Sequence, residues 1–165
     1  MAALDYNYVA SLVDRTRKGD STAFAELFAA TYEAQYDFAH FFLEDEKAAC
    51  WAIEDAYTLA LKGLGSLRDS KLFVSWLCQL NFRACHKLAG ADAFRTNVVI
   101  NGKAYPYDQI MALPFSESQA LFLRYGKHLP LSKISSMLEI SSSTTLGFIR
   151  SGKKHLASIS RRLNT

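Results

Sequence analysis

The sequence predicts an all-α fold of two small helical domains joined by a linker, with a helix-turn-helix in the C-terminal domain. Apolar residues recur three and four positions apart over most of 8–88, as in helices buried on one face. This period is lost over 90–108, where Gly, Asn and Pro interrupt the chain, and it resumes near Gln109. We therefore expect domains at 1–89 and 109–165, with 90–108 as the linker.

Length and composition agree with a globular protein of one ordinary or two small domains. The chain has 165 residues, of which 50% are hydrophobic and 13% aromatic. It contains no run of about 18 apolar residues, so we expect no membrane span. The first residues lack a basic start followed by an apolar core, so we expect no secretion signal and a cytoplasmic location.

Four helices are predicted in the N-terminal domain. The first ends at Gly19, and Asp20 or Ser21 caps the second. A polar break at 44–46 begins the third helix, and the fourth runs over about 70–88. The period places Trp76 with the inward-facing residues of that fourth helix.

The segment between the domains allows two interpretations. Asn101-Gly102 is a strong turn pair, so 98–105 fits a small hairpin. We prefer a linker with a brief extended piece, because 90–108 has no helical period.

The strongest pattern in the C-terminal domain lies within 131–149. Ile134, Met137 and Leu138 form an apolar stripe on one helix, and Ile140 fills the turn that follows. The serines at 141–143 supply capping oxygens for a second helix. A helix-turn-helix places its second helix in the major groove of DNA, so the pattern indicates a function in transcription.

Charge is distributed unevenly along the chain. Residues 1–60 have 4 basic and 11 acidic side chains, for a net charge of −7. The net charge is +4 over 61–112 and +6 over 113–165. An acidic beginning and a basic end indicate two different partners, and the basic part is suited to phosphate.

No pattern in the sequence predicts catalysis, a metal site or a cofactor. The cysteines have no CxxC spacing and are expected as buried thiols: Cys50, Cys78 and Cys85. The histidines are scattered and none belongs to a catalytic motif: His40, His86, His128 and His155. No glycine-rich phosphate loop is present. We expect a protein that is not an enzyme.

Both halves of the chain resemble one family, the bacterial RNA polymerase sigma factors, in the short two-domain form of the extracytoplasmic-function (ECF) type. The N-terminal half resembles their second region in GDSTAFAELFAATY (19–32), AIEDAY (52–57) and FVSWLCQL (73–80). The C-terminal half resembles their fourth region in LPFSESQALFLRY (113–125), LSKISSMLEISSSTT (131–145) and GKKHL (152–156). The order and spacing of these segments over about 140 residues make the resemblance specific.

The resemblance implies that this protein binds core RNA polymerase and promoter DNA, and that an anti-sigma factor is a further partner. The helix at 52–61 would bind the coiled coil of the large clamp subunit through Glu54, Asp55, Tyr57, Thr58 and Leu61. The helix at 70–88 and the segment before it would contact the −10 element through Arg68, Lys71, Asn81, Arg83 and Lys87. The helix-turn-helix would contact the −35 element through Ser142, Ser143, Thr144, Thr145, Arg150, Lys153 and Lys154.

Two aromatic residues near these segments have two interpretations each. Phe82 offers a stacking face for an unpaired base, and Trp51 an anchor for a protein partner. For both, as for Trp76, we prefer packing in the core.

The sequence departs from the family at both surfaces. Residues 48–51 read AACW where the family has acidic residues. Leu146, Gly147 and Phe148 occupy positions where the family has polar or basic residues. Two alternatives therefore stay open: a sigma-like mimic that binds an anti-sigma factor or another regulator, and a dimeric helix-turn-helix regulator.

Overall fold

A computed structural model of the protein describes residues 4–93 and 97–164. Residues 1–3, 94–96 and 165, which fall in the predicted N-terminal domain, linker and C-terminal domain, lie outside the described residues. The structure is 80% helical and the described part has eight α-helices, which confirms the all-α prediction. The chain divides into two compact units, Met1–Leu88 and Ala89–Thr165.

Four helices form the N-terminal unit: α1 (Tyr6–Arg17), α2 (Ser21–Leu43), α3 (Glu46–Gly63) and α4 (Phe73–Ala93). An aspartate caps each of the first three, because the side chains of Asp5, Asp20 and Asp45 accept hydrogen bonds from first-turn amides. Gly19, with φ of +89°, makes the turn between α1 and α2. Two 3₁₀ turns, Leu64–Ser66 and Ser70–Leu72, join α3 to α4.

The core of this unit has a buried polar cluster beside its apolar side chains. The Thr31 and Tyr57 hydroxyls lie 2.6 Å apart and join α2 to α3. Asn81 on α4 donates to the backbone and side-chain oxygens of Gln35, at 2.9 and 3.1 Å. Because buried polar groups need partners, these bonds fix the relative positions of three helices.

Three aromatic residues of this unit differ in how deeply they are buried. Phe82 is buried and contacts the rings of Phe38 and Phe42, which confirms the core prediction. Trp76 is half-buried against Phe73 and Gly63. For Trp51 the preferred interpretation was wrong, since its side chain is 55% exposed.

The C-terminal unit begins with an antiparallel hairpin of β1 (Val98–Ile100) and β2 (Lys103–Tyr105). Asn101 and Gly102, both with positive φ, make the turn, as the pair predicted. Val98, Ile100 and Tyr105 are buried in the same apolar cluster as Leu121, Ile149 and Leu156. The segment that we interpreted as a linker therefore contributes the alternative hairpin to the C-terminal core.

The remaining helices of this unit are α5 (Tyr107–Met111), α6 (Phe115–Leu121), α7 (Leu131–Leu138) and α8 (Ser142–Leu163), with a π-helical turn at Phe122–Gly126. A proline directly precedes α5, α6 and α7. Proline suits these positions because a helix leaves its first amides unbonded. Within the described ranges, no helix is both long and apolar enough to cross a membrane.

Candidate functional site

The predicted polymerase-binding residues surround a groove between α2 and α3. This α2/α3 groove has a volume of about 410 Å³. It is lined by Phe24, Phe28 and Tyr32 from α2 and by Cys50, Ile53, Glu54, Tyr57, Thr58 and Leu61 from α3. Four of the five predicted residues are thus brought together, and Asp55 is the one that does not line the groove.

These residues differ in accessibility. Glu54 and Thr58 are exposed, and Leu61 is 49% exposed although it is apolar. Tyr57 is buried, and its hydroxyl is bonded to Thr31. Burial raises the pKa of the Tyr57 phenol. Tyr57 therefore forms part of the groove floor, which differs from the exposed contact that we predicted.

A row of ring contacts runs along α2. Ring centroids lie 5.0 Å apart for Phe28 and Tyr32, which are tilted, and 5.7 Å apart for Tyr32 and Tyr36, which are stacked. His40 stacks on Tyr36 at 5.8 Å. Residues four apart share one face of a helix, so the groove-lining Phe28 and Tyr32 are braced by the next two rings of the row. No sequence pattern identified this row as a surface.

A second groove lies at the turn between α2 and α3. This turn groove has a volume of about 640 Å³ and is lined by His40, Glu44, Asp45, Glu46, Lys47, Cys50 and Trp51. Cys50 is exposed, contrary to our expectation of a buried thiol, and lines both grooves. For Trp51 the exposed interpretation, which we did not prefer, is the observed one. Its position was available from the period, because Ala49, Ala52, Ile53 and Ala56 are the buried residues of α3.

Of the predicted −10 residues, the four cations are on the surface. Arg68, Lys71, Arg83 and Lys87 are all exposed. Asn81 is fully buried and bonded to Gln35, so its side chain is not accessible to DNA in this conformation. Asparagine at this position holds α4 against α2, and the sequence gives no sign of that distant partner.

Arg17 on α1 holds the segment that precedes α4. Its guanidinium donates to the backbone oxygens of Leu64, at 3.1 Å, and Leu67, and to the Ser70 hydroxyl, at 3.3 Å. Asp14 accepts a hydrogen bond from Ser70. This segment contains Arg68, so α1 fixes the backbone on both sides of a predicted DNA contact. Arg17 was not identified from the sequence.

The predicted −35 residues lie mainly on the exposed face of α8. Ser142, Ser143, Thr144, Arg150 and Lys154 are exposed, and Lys153 is half-buried with its ammonium 4.9 Å from the centre of the Tyr125 ring. Thr145 is fully buried, so its side chain is not accessible to DNA in this structure. Its hydroxyl lies 3.0 Å from that of Ser135 on α7 and donates to the backbone oxygen of Ser141.

The turn between α7 and α8 is short and capped as predicted. Ser141 accepts a hydrogen bond from the Thr144 amide at 3.1 Å. Ile134 and Ile149 are buried. Gly147 is exposed, and Phe148 is half-buried against the C-terminal core. Three hydroxyls near the helix N-terminus and two exposed cations about two and three turns later are suited to phosphate and base edges.

No group of three or more His, Cys, Asp or Glu side chains in the described part of the chain is arranged to hold a metal ion.

Comparisons with known proteins identify solved structures that are similar to this chain. No family model and no curated protein matches the sequence. The solved structure of CnrH in complex with the cytosolic domain of CnrY matches with a TM-score of 0.54 at 16% identity, over 94% of this chain and 98% of that chain. The RsbN-BldN complex matches with a TM-score of 0.42 at 16% identity, over 89% and 98%. The chain therefore has the two-domain helical fold of CnrH, which is an ECF sigma factor.

Proposed function

We propose that the protein is a divergent ECF sigma factor, which binds core RNA polymerase in the cytoplasm and directs it to promoters. The main support is the likeness to CnrH, because it extends over nearly the whole of both chains and includes both units. Fold alone does not fix function, so the proposal also rests on the surfaces of the two units.

The N-terminal unit would supply the polymerase contact. The α2/α3 groove is apolar, with an exposed Leu61 and an exposed Glu54 beside it, and Trp51 is exposed in the neighbouring turn groove. These features suit a helical partner with apolar and basic side chains. The acidic N-terminal sequence would attract such a partner over a longer range. The coiled coil of the clamp subunit is the partner that the resemblance implies.

The DNA contacts would come from both units. Exposed Arg68, Lys71, Arg83 and Lys87 would bind the backbone of the −10 element. The exposed face of α8 would bind the −35 element, with Arg150 and Lys154 as its exposed cations. Each phosphate contact adds to affinity, and only these two of the three cations predicted for the −35 contact are exposed, so we expect the C-terminal unit alone to bind duplex DNA weakly. Attachment to polymerase would compensate by raising the local concentration of promoter DNA.

A matched pair of substitutions tests the polymerase contact. Leu61 lines the α2/α3 groove, whereas Leu59 is exposed to a similar degree, 44% against 49%, but does not line it. We expect Leu61→Ala to weaken binding to core polymerase about tenfold, and Leu59→Ala to change it less than about twofold. Mass photometry or fluorescence titration at physiological salt measures both. Equal losses would place the contact elsewhere, and no binding by the unmodified protein would refute the proposal.

The sigma-like mimic remains the second candidate. It is favoured by the stretch of α8 where Leu146, Gly147 and Phe148 replace the expected polar residues. Phe148 packs on its own core and is a poor anchor, so a regulator would use the α2/α3 groove instead. This candidate predicts no promoter-specific transcripts even when core polymerase is bound. Neither candidate assigns a catalytic step to this chain.

A further inference from the structure

A buried carboxylate joins α6 to the middle of α8. The Glu117 side chain is 9% exposed. One of its oxygens accepts a hydrogen bond from the Ser151 hydroxyl at 2.6 Å, and the other lies 2.6 Å from Nδ1 of His155. Ser151 and His155 are four residues apart and share one face of α8. A buried carboxylate is tolerated only when its oxygens are bonded, so this contact favours one position of α8 on α6.

Close packing beside this contact adds a steric constraint. A Cβ atom at Gly152 would lie 2.7 Å from Cδ1 of Leu121 and 3.3 Å from Cβ of Glu117. The α8 backbone therefore approaches α6 where a side chain would not fit. A shift of α8 by one turn, about 5.4 Å, would replace Gly152 at this point and break at least one of the two Glu117 contacts.

The anchored part of α8 lies beyond the exposed hydroxyls at the beginning of the helix. Ser151, Gly152 and His155 lie near its middle, and the hydroxyls proposed for DNA contact begin at Ser142. Nine residues of helix separate Ser142 from Ser151, a length of about 14 Å. Rotation or sliding at the anchor therefore displaces the exposed end.

We propose that Glu117 is a positioning residue for DNA binding: by holding Ser151 and His155, it sets the register in which α8 presents residues 142–150. The part that concerns DNA rests on the proposed function. The part that concerns register does not.

Glu117→Gln tests the role in DNA binding, with Glu139→Gln as the matched control. Both changes remove one negative charge from the C-terminal unit, which by itself strengthens binding to DNA. We expect Glu117→Gln to weaken binding of the full chain to a labelled mixed-sequence duplex of about 30 base pairs by about three- to tenfold. Glu139→Gln should bind equally or more tightly. Equal behaviour of the two variants would overturn the proposal.

Backbone amide chemical shifts give a second readout that does not require DNA. We expect Glu117→Gln to move the resonances of 142–150, whereas a purely structural role would confine changes to the surroundings of 117, 151 and 155. Confinement would overturn the proposal. If Glu117→Gln does not fold, Ser151→Ala takes its place, because it removes one of the two Glu117 contacts. We then expect Ser151→Ala to move the resonances of 142–150, and unchanged resonances in that range would overturn the proposal. An unmodified protein that fails to bind DNA would refute the proposed function, while these shifts still decide the register.

Discussion

At the scale of residues, Cys50 reports most directly on the proposed polymerase surface. It is exposed and lines both grooves, whereas Cys85 is fully buried. Burial raises the pKa of the Cys85 thiol to about 12, so little reactive thiolate forms there near neutral pH. The two thiols should therefore differ strongly in their rates of alkylation.

We predict that iodoacetamide modifies Cys50 rapidly and Cys85 only on unfolding, and that saturating core polymerase slows the modification of Cys50 at least about tenfold. Peptide mass spectrometry measures each site. Cys50→Ser should remove the fast reaction, which identifies the site. Unchanged Cys50 reactivity in a complex known to be formed would exclude the α2/α3 groove as its binding surface.

Asn81 and Thr145 differ from the other predicted DNA contacts because both side chains are fully buried. Both were predicted as DNA contacts from the family resemblance, since polar side chains on those helices suit bases and phosphates. In the structure both are fully buried, and their bonds go to Gln35 on α2 and to Ser135 on α7. A polar residue in a helix is read as exposed unless its partner is known, and these partners are 46 and 10 residues away.

At the scale of elements, the hydroxyl pair between α7 and α8 is a contact whose energy can be measured. Thr145→Val keeps the shape of the side chain but leaves Ser135 without this partner. We expect a loss of about 1 kcal/mol in the free energy of unfolding. In a Ser135→Ala background the same change should cost clearly less, since both polar groups are then replaced. Urea denaturation of the four proteins checks this, and simple additivity would contradict the assigned contact.

The sequence predicted the elements whose signals are local. Gly19 ends α1 and Asp20 caps α2 as expected, and Asn101-Gly102 makes a turn. The role of the hairpin in the C-terminal core was not predicted, because the apolar cluster that it shares with Ile149 and Leu156 joins residues about 50 positions apart. Leu72 is 55% exposed although it is apolar, because α4 begins at Phe73 and Leu72 belongs to the 3₁₀ turn before that helix.

At the scale of the whole molecule, charge and surface features divide in the same way along the chain. Both grooves belong to the acidic N-terminal unit, and the exposed face of α8 belongs to the basic C-terminal part. A protein that joins an enzyme surface to promoter DNA needs two such regions. The proposed function therefore uses both units, whereas a dimeric helix-turn-helix regulator leaves the two grooves unexplained.

Run-off transcription tests directly whether the protein acts as a sigma factor. Purified core RNA polymerase would be incubated with fragments of the genome of origin, with and without the protein, and with Leu61→Ala as a control for the polymerase contact. We predict transcripts with defined start sites when the unmodified protein is present and none without it. Leu61→Ala should give fewer of these transcripts. Tight binding to core polymerase without any specific transcript would contradict this prediction and favour the sigma-like mimic.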